Sequence, residues 1–219
     1  SSVTSKAYNT LALSWSKVDG AAGYTVYRAT GNSSSYSEVG SVDAATYTYT
    51  DAKVTCGVKC SYKVRAYSTV DGNKVYGAYS SAVSGKAVPA ATTIAATVKG
   101  YEAVGLSWGK VSGASGYAVY RKTGNGSYKK IETLSGASST SYTDENVDTG
   151  TKYTYKVRAY RMVDDETVWA AYSNEVSATP TMSAPTVTLQ NKTYNSVVVK
   201  WKGVSGADGY KVARATSQN

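Results

Sequence analysis

The chain has 219 residues, 42% of them apolar and 18% charged, and its 24 Lys and Arg against 15 Asp and Glu give a formal net charge of +9. No apolar run approaches the roughly 18 residues of a membrane-spanning helix, so no membrane span is expected; no basic and then apolar leader opens the sequence, so any export signal is expected outside it. Histidine is absent, which removes the usual general base and the commonest metal ligand together. No paired carboxylates, tuned lysine or cysteine site take its place, so the expectation is a chain with no enzymatic activity, no metal and no cofactor.

A gapless repeat organises everything else. Trp15, Trp108 and Trp201 stand 93 residues apart, and Gly20, Gly23 and Tyr24 map onto Gly113, Gly116 and Tyr117, then onto Gly206, Gly209 and Tyr210. In the same register Arg28 maps onto Arg121 and Arg214, Asp51 onto Asp144, and Tyr62–Tyr67 onto Tyr155–Tyr160. The chain therefore divides into unit 1 (1–86), a linker (87–90), unit 2 (91–179), a linker (180–184) and an incomplete third unit (185–219) expected to supply strands A to C only. All three prolines, Pro89, Pro180 and Pro185, fall at these junctions, where a residue without an N–H costs no ladder hydrogen bond.

Along each unit the apolar period is two, which is the signature of strands with one buried face. Leu11, Leu13 and Trp15 alternate with small polar residues, as do Val104, Leu106 and Trp108, and Val197, Val199 and Trp201. Tyr24 and Val26 begin a second strand that ends at Gly31-Asn32, where the matching Gly124-Asn125 also supplies turn residues. Later, Tyr153, Tyr155, Val157 and Ala159 should face inward while Thr154, Lys156 and Arg158 face out. Strands of this length with frequent turns and no helical period predict an all-β, antiparallel sandwich of six or seven strands per unit, about the number such folds carry.

The strand ending in Trp, the Gly-Tyr-x-Val-Tyr-Arg strand, the Tyr-Thr-Asp segment and the Gly-Thr-x-Tyr-x-Tyr-x-Val-x-Ala run together resemble a fibronectin type III domain. The variety is similar to the tandem modules of bacterial surface and secreted proteins, so the resemblance implies an extracellular or cell-surface location. It covers both complete units and the first strands of the third. In that pattern Tyr153 is the corner tyrosine whose hydroxyl ties strand F to the turn before it, and Trp15, Trp108 and Trp201 mark the core. Unit 1 has Cys60 at the place of Tyr153 and Cys56 at the place of Thr149. The resemblance therefore implies a structural disulfide across the corner, with free buried thiols as the alternative; a Cys-x3-Cys spacing fits neither a four-ligand zinc site nor a Cys-x-x-Cys redox pair.

The candidate ligand contacts are Tyr76 and Trp169, which follow the acidic loop tips at Asp71 and Asp164. An aromatic beside a loop suits sugar or protein contact, and edge packing is the competing reading. Calcium at the tips is disfavoured because two or three carboxylates lack the six to eight oxygens expected. The basic residues Lys63, Arg65, Lys156 and Arg158 alternate on one strand as on a solvated face. With no long basic run, no recognition helix and no nucleic-acid motif, nucleic acid is not an expected partner; a cell-wall polymer, a host glycan or protein, and another chain completing the third unit are the partners to consider. The functional expectation is a non-catalytic spacer or stalk that presents other domains. The alternatives are an adhesin or carbohydrate-binding module, or an accessory region of a secreted polysaccharide-degrading enzyme.

Overall fold

The computed structural model describes residues 1–215, and among them there are strands and turns but no helix. Unit 1 contains β1 (Ser2–Ala7), β2 (Thr10–Ser14), β3 (Gly23–Thr30), β4 (Ser37–Asp43), β5 (Thr48–Asp51), β6 (Lys59–Val70), β7 (Asn73–Tyr76) and β8 (Val83–Lys86). Strands β1, β2 and β5 form one sheet, and β4, β3, β6 and β7 the other, with β8 also on β6. Unit 2 repeats this with β9 (Ile94–Gly100), β10 (Ala103–Trp108), β11 (Gly116–Thr123), β12 (Lys129–Ser135), β13 (Ser141–Asp144), β14 (Tyr153–Val163), β15 (Glu166–Trp169) and β16 (Val176–Ala178). Every pairing is antiparallel.

The period-two pattern fills the space between the sheets. Tyr153, Tyr155, Val157 and Ala159 are buried, while Thr154, Lys156 and Arg158 between them stay partly exposed. They meet Val104, Leu106 and Trp108 from the opposing sheet. Unit 1 packs Leu11 and Leu13 against Tyr24, Val26, Tyr62 and Val64 in the same way. At 0% exposure, Tyr62 and Tyr155 bury close to the 150–250 Å² typical of an aromatic side chain.

The last strand of each complete unit is broken into β7 and β8, or β15 and β16, and a serine bridges the gap. Ser80 N donates to Val64 O at 2.7 Å while Val64 N donates to Ser80 Oγ at 3.1 Å. Ser173 and Val157 repeat the exchange at 2.8 and 3.0 Å. The hydroxyl takes the place of a ladder carbonyl, so the backbone of β6 and β14 stays satisfied through the break.

The third unit departs from expectation. Strands β17 (Val187–Thr193) and β18 (Ser196–Trp201) form a hairpin, but no strand C forms in residues 209–215, and 216–219 lie outside the described residues. In the complete units strand C is held on both sides, β3 by β4 and β6, β11 by β12 and β14; among the described residues the third unit offers neither neighbour, and alternation alone cannot hold an unpaired strand. The core markers follow suit: Trp108 is 7% exposed, Trp15 is half-buried and Trp201 is 36% exposed. Local geometry survives nonetheless. Trp201 and Tyr210 rings lie 5.4 Å apart, matching 5.6 Å for Trp15–Tyr24 and 5.5 Å for Trp108–Tyr117.

Candidate functional site

The outward face of each five-stranded sheet carries a strip of aromatic and basic side chains. Arg65 on β6 donates from Nε and Nη2 to the Tyr27 hydroxyl at 3.2 and 2.8 Å, and its guanidinium lies 3.8 Å from the centre of the Tyr76 ring and 4.7 Å from that of Tyr79. Arg158 on β14 does the same with Tyr120 at 3.2 and 2.8 Å, and with Trp169 and Tyr172 at 3.9 and 4.7 Å. Lys156 sits between Tyr128 and Tyr172 at 4.0 and 3.9 Å. These cations are held against ring faces, where cation–π attraction adds to the attachment, rather than standing free in solvent.

That arrangement determines what Tyr76 and Trp169 present. Tyr76 packs edgewise on Tyr67 with centroids 5.9 Å apart, Trp169 leans on Tyr160 at 5.5 Å, and both are half-buried. One face of each ring, the surface on which a sugar would stack, is occupied by a guanidinium. Asp71 and Asp164 are exposed and serve as turn residues, at φ 50° and 47°, of the hairpins joining β6 to β7 and β14 to β15. No group of three His, Cys, Asp or Glu able to hold a metal occurs among the described residues.

A buried polar triad lies at the edge of each core. Asp51 is 4% exposed and accepts from Arg28 Nη1 at 2.6 Å, Tyr62 Oη at 3.0 Å and Lys53 N at 3.1 Å. Asp144 is 1% exposed and accepts from Arg121 Nη1 at 2.8 and 3.1 Å, Tyr155 Oη at 3.0 Å and Asn146 N at 3.2 Å. Burial, and then the neighbouring carboxylate, push the Tyr62 and Tyr155 hydroxyls far above the ordinary tyrosine range. Each carboxylate is engaged by charged and neutral donors from three directions, which makes it a clamp between the sheets rather than a base facing a substrate. Recurrence of Arg28, Asp51 and Tyr62 at the repeat spacing was the sequence signal for this triad, and its chemistry went unread.

The turn before β6, and before β14 in unit 2, corrects the reading of the cysteines. Tyr153 behaves as a corner tyrosine: its hydroxyl accepts from Asp148 N at 3.1 Å and donates to the Asp148 carboxylate at 3.1 Å. Cys56 and Cys60, at the equivalent corner of unit 1, are both free thiols and form no disulfide. Gly57, at φ 75°, turns the chain between them, with its N–H donating to Ala87 O at 2.8 Å. Cys60 points into the core of unit 1, whereas Cys56 lines a cleft toward Val163 and Val168 of unit 2. The thiols thus face different surroundings, and burial raises both pKa values, opposed at Cys56 by Arg161.

The same cleft belongs to a joint between units. Tyr8, in the turn joining β1 to β2, lays its ring over Gly113, the turn glycine leading to β11. A Cβ on Gly113 would lie 2.3 to 2.6 Å from Tyr8 Cγ, Cδ1 and Cδ2. Arg161 holds both sides together, donating to Gly113 O at 2.7 Å with its guanidinium 4.9 Å from the Tyr8 ring centre. One repeat later Tyr101 lies on Gly206 in the same way, its Cδ2 2.5 Å from the Cβ position. At φ 73° and 80°, Gly113 and Gly206 are favoured by conformation as well as by contact.

These two sheets, packed face to face and repeated in register, define a tandem pair of fibronectin type III sandwiches. The fold is shared with a two-domain fibronectin type III segment of chicken tenascin, at a TM-score of 0.50 and 14% identity over 80% of this chain and 94% of that one. No family model matches the chain. Among curated proteins it is 43% identical over 84 residues to an amylopullulanase of Thermoanaerobacter thermohydrosulfuricus, covering 38% of this chain and 5% of that protein. It is 28% identical over 220 aligned positions to exoglucanase B of Cellulomonas fimi, covering 90% of this chain and 19% of that one. A poly(3-hydroxybutyrate) depolymerase of Ralstonia pickettii is 41% identical over 105 residues, covering 48% and 19%. The chain spans a fifth or less of the length of these relatives.

Proposed function

We propose that this chain is a non-catalytic spacer within an extracellular polymer-degrading enzyme, setting the separation of other domains. The observation that carries this reading is the breadth of the relatives: by their names two act on glucans and one on a polyester. A segment common to such different substrates suits a task indifferent to substrate chemistry. The covered ring faces of Tyr76 and Trp169 and the fully engaged Asp51 and Asp144 support it, since a guanidinium already lies on one face of each loop-side ring and neither buried carboxylate is poised as a base. Retention of the purified chain on insoluble starch, cellulose and poly(3-hydroxybutyrate) tests the proposal. The expected result is no retention on any of the three above an inert protein control. Retention on one polymer that is lost in Trp169→Ala would instead establish a binding module.

A further inference from the structure

The joint described above is a matched pair, a tyrosine on the turn joining the first two strands of one unit and a glycine at the turn before strand C of the next. Unit 1 carries its own copy of the receiving half. Gly20 corresponds to Gly113, Ser68 to Arg161 and Val75 to Val168. At Gly113 a tyrosine ring fills the place a Cβ would take, whereas at Gly20, with φ 77°, nothing lies within 4 Å. Val75 is 53% exposed, although Val168 at the same place packs against Gly57, its Cγ2 only 2.4 Å from where a Cβ would stand. Gly20, Ser68 and Val75 line one cleft of about 290 Å³ on this end of unit 1.

The donating half shows the complementary behaviour. Tyr8 and Tyr101 are half-buried in joints, while Tyr194, their counterpart in the third unit, is 101% exposed. Burial of this tyrosine thus goes with the presence of a receiving glycine turn. The contact is head to tail, so each unit offers one half of the joint at either end and the arrangement has no built-in stop.

We propose that the cleft around Gly20 is a docking surface for the tyrosine-bearing first turn of another unit of this same repeat, linked upstream on the same polypeptide in the 93-residue register. The occupant is set by continuity with the two filled joints, in which Tyr8 and Tyr101 occupy the equivalent place. Linkage matters because the contact is small: a short linker supplies millimolar effective concentration, which a free partner does not. Ser68 in place of Arg161 removes the cation that secures Tyr8, so this joint is looser than the one at Gly113. The inference does not depend on the spacer reading, because it concerns which surface is covered and not what the array is for.

The test adds a second copy of residues 94–186, a whole repeat in register, before Ser1 of the full chain. Hydrogen exchange is then followed at Gly20 and Ala21 in the chain with and without the addition. Exchange there should slow about tenfold in the extended protein, and replacing the added copy's tyrosine, Tyr101→Ala in that copy alone, should restore the original rate while Gly113 stays protected in both. Gly20→Ala gives a second reading that needs no core change: it should abolish the added protection, since the methyl would meet the docked ring. Unchanged exchange at Gly20 in the extended protein, or protection that survives both substitutions, would overturn the proposal. Protection that instead grows with concentration in the original chain would place the partner on a second molecule and overturn the linked arrangement.

Discussion

Removing the carboxylate of Asp144 should unfold unit 2 far more readily than its position at the edge of the core suggests. In Asp144→Ala the Arg121 guanidinium loses its carboxylate partner and the Tyr155 hydroxyl, on a side chain 0% exposed, loses its acceptor. Breaking a buried ion pair from one side costs about 3–5 kcal/mol. Arg121 retains 23% side-chain exposure, so water offsets part of the loss and a value of about 3 kcal/mol is expected. That is a large share of the 5–15 kcal/mol typical of a domain. Hydrogen exchange of the slowest amides in β14 isolates unit 2 from unit 1, and those amides should exchange roughly a hundredfold faster. The matched double variant Arg121→Met, Asp144→Leu should recover most of the loss, because neither charge is then left alone. A change below about 1 kcal/mol, or a double variant as unstable as the single one, would refute the account of the triad as a buried clamp.

Other outcomes follow from the same geometry. Tyr62 and Tyr155 stay protonated in the fold above the pH at which unfolded tyrosine ionises, about 10. Their contribution is complete below that pH and is lost as pH climbs past it, so the urea midpoint should fall on the alkaline side while part of the tyrosinate absorbance appears only on unfolding; a single reversible ionisation of all tyrosines with the fold intact would contradict this. Thiol titration should find Cys56 and Cys60 slow to react in the native protein and both reactive once it is denatured without reductant, whereas no reactive thiol after denaturation would restore the disulfide. Tyr153→Phe removes the corner hydroxyl and should cost unit 2 about 0.5–1.5 kcal/mol by urea titration, an effect with no equivalent in unit 1.

Much of the fold was legible because alternation, turn glycines and the repeat all point one way. The inward set Tyr153, Tyr155, Val157 and Ala159 follows directly from a two-residue period. Four features were hidden for different reasons. The directions of Cys56 and Cys60 depend on the turn at Gly57 and on a neighbouring unit more than a hundred residues away in sequence, which spacing does not encode. Arg65 and Arg158 read as solvated bases because alternation fixes only the face on which a side chain lies, whereas the partner ring comes from another strand. The segment 209–215 has the right residues for strand C, yet a strand is completed by its neighbours and not by its own pattern. Gly113 and Gly206 looked like ordinary turn glycines, and only the ring packed on each reveals the joint.

A spacer must hold its ends apart at a defined geometry, and the joint of Tyr8, Gly113 and Arg161 is what would hold units 1 and 2. Residual dipolar couplings measured for both units in one weakly aligned sample test this most directly. A single alignment tensor should fit units 1 and 2 together, and Tyr8→Ala should split it into two while leaving each unit folded. Two independent tensors in the unaltered chain would contradict the account, since the units would then be loosely tethered and unable to set a distance.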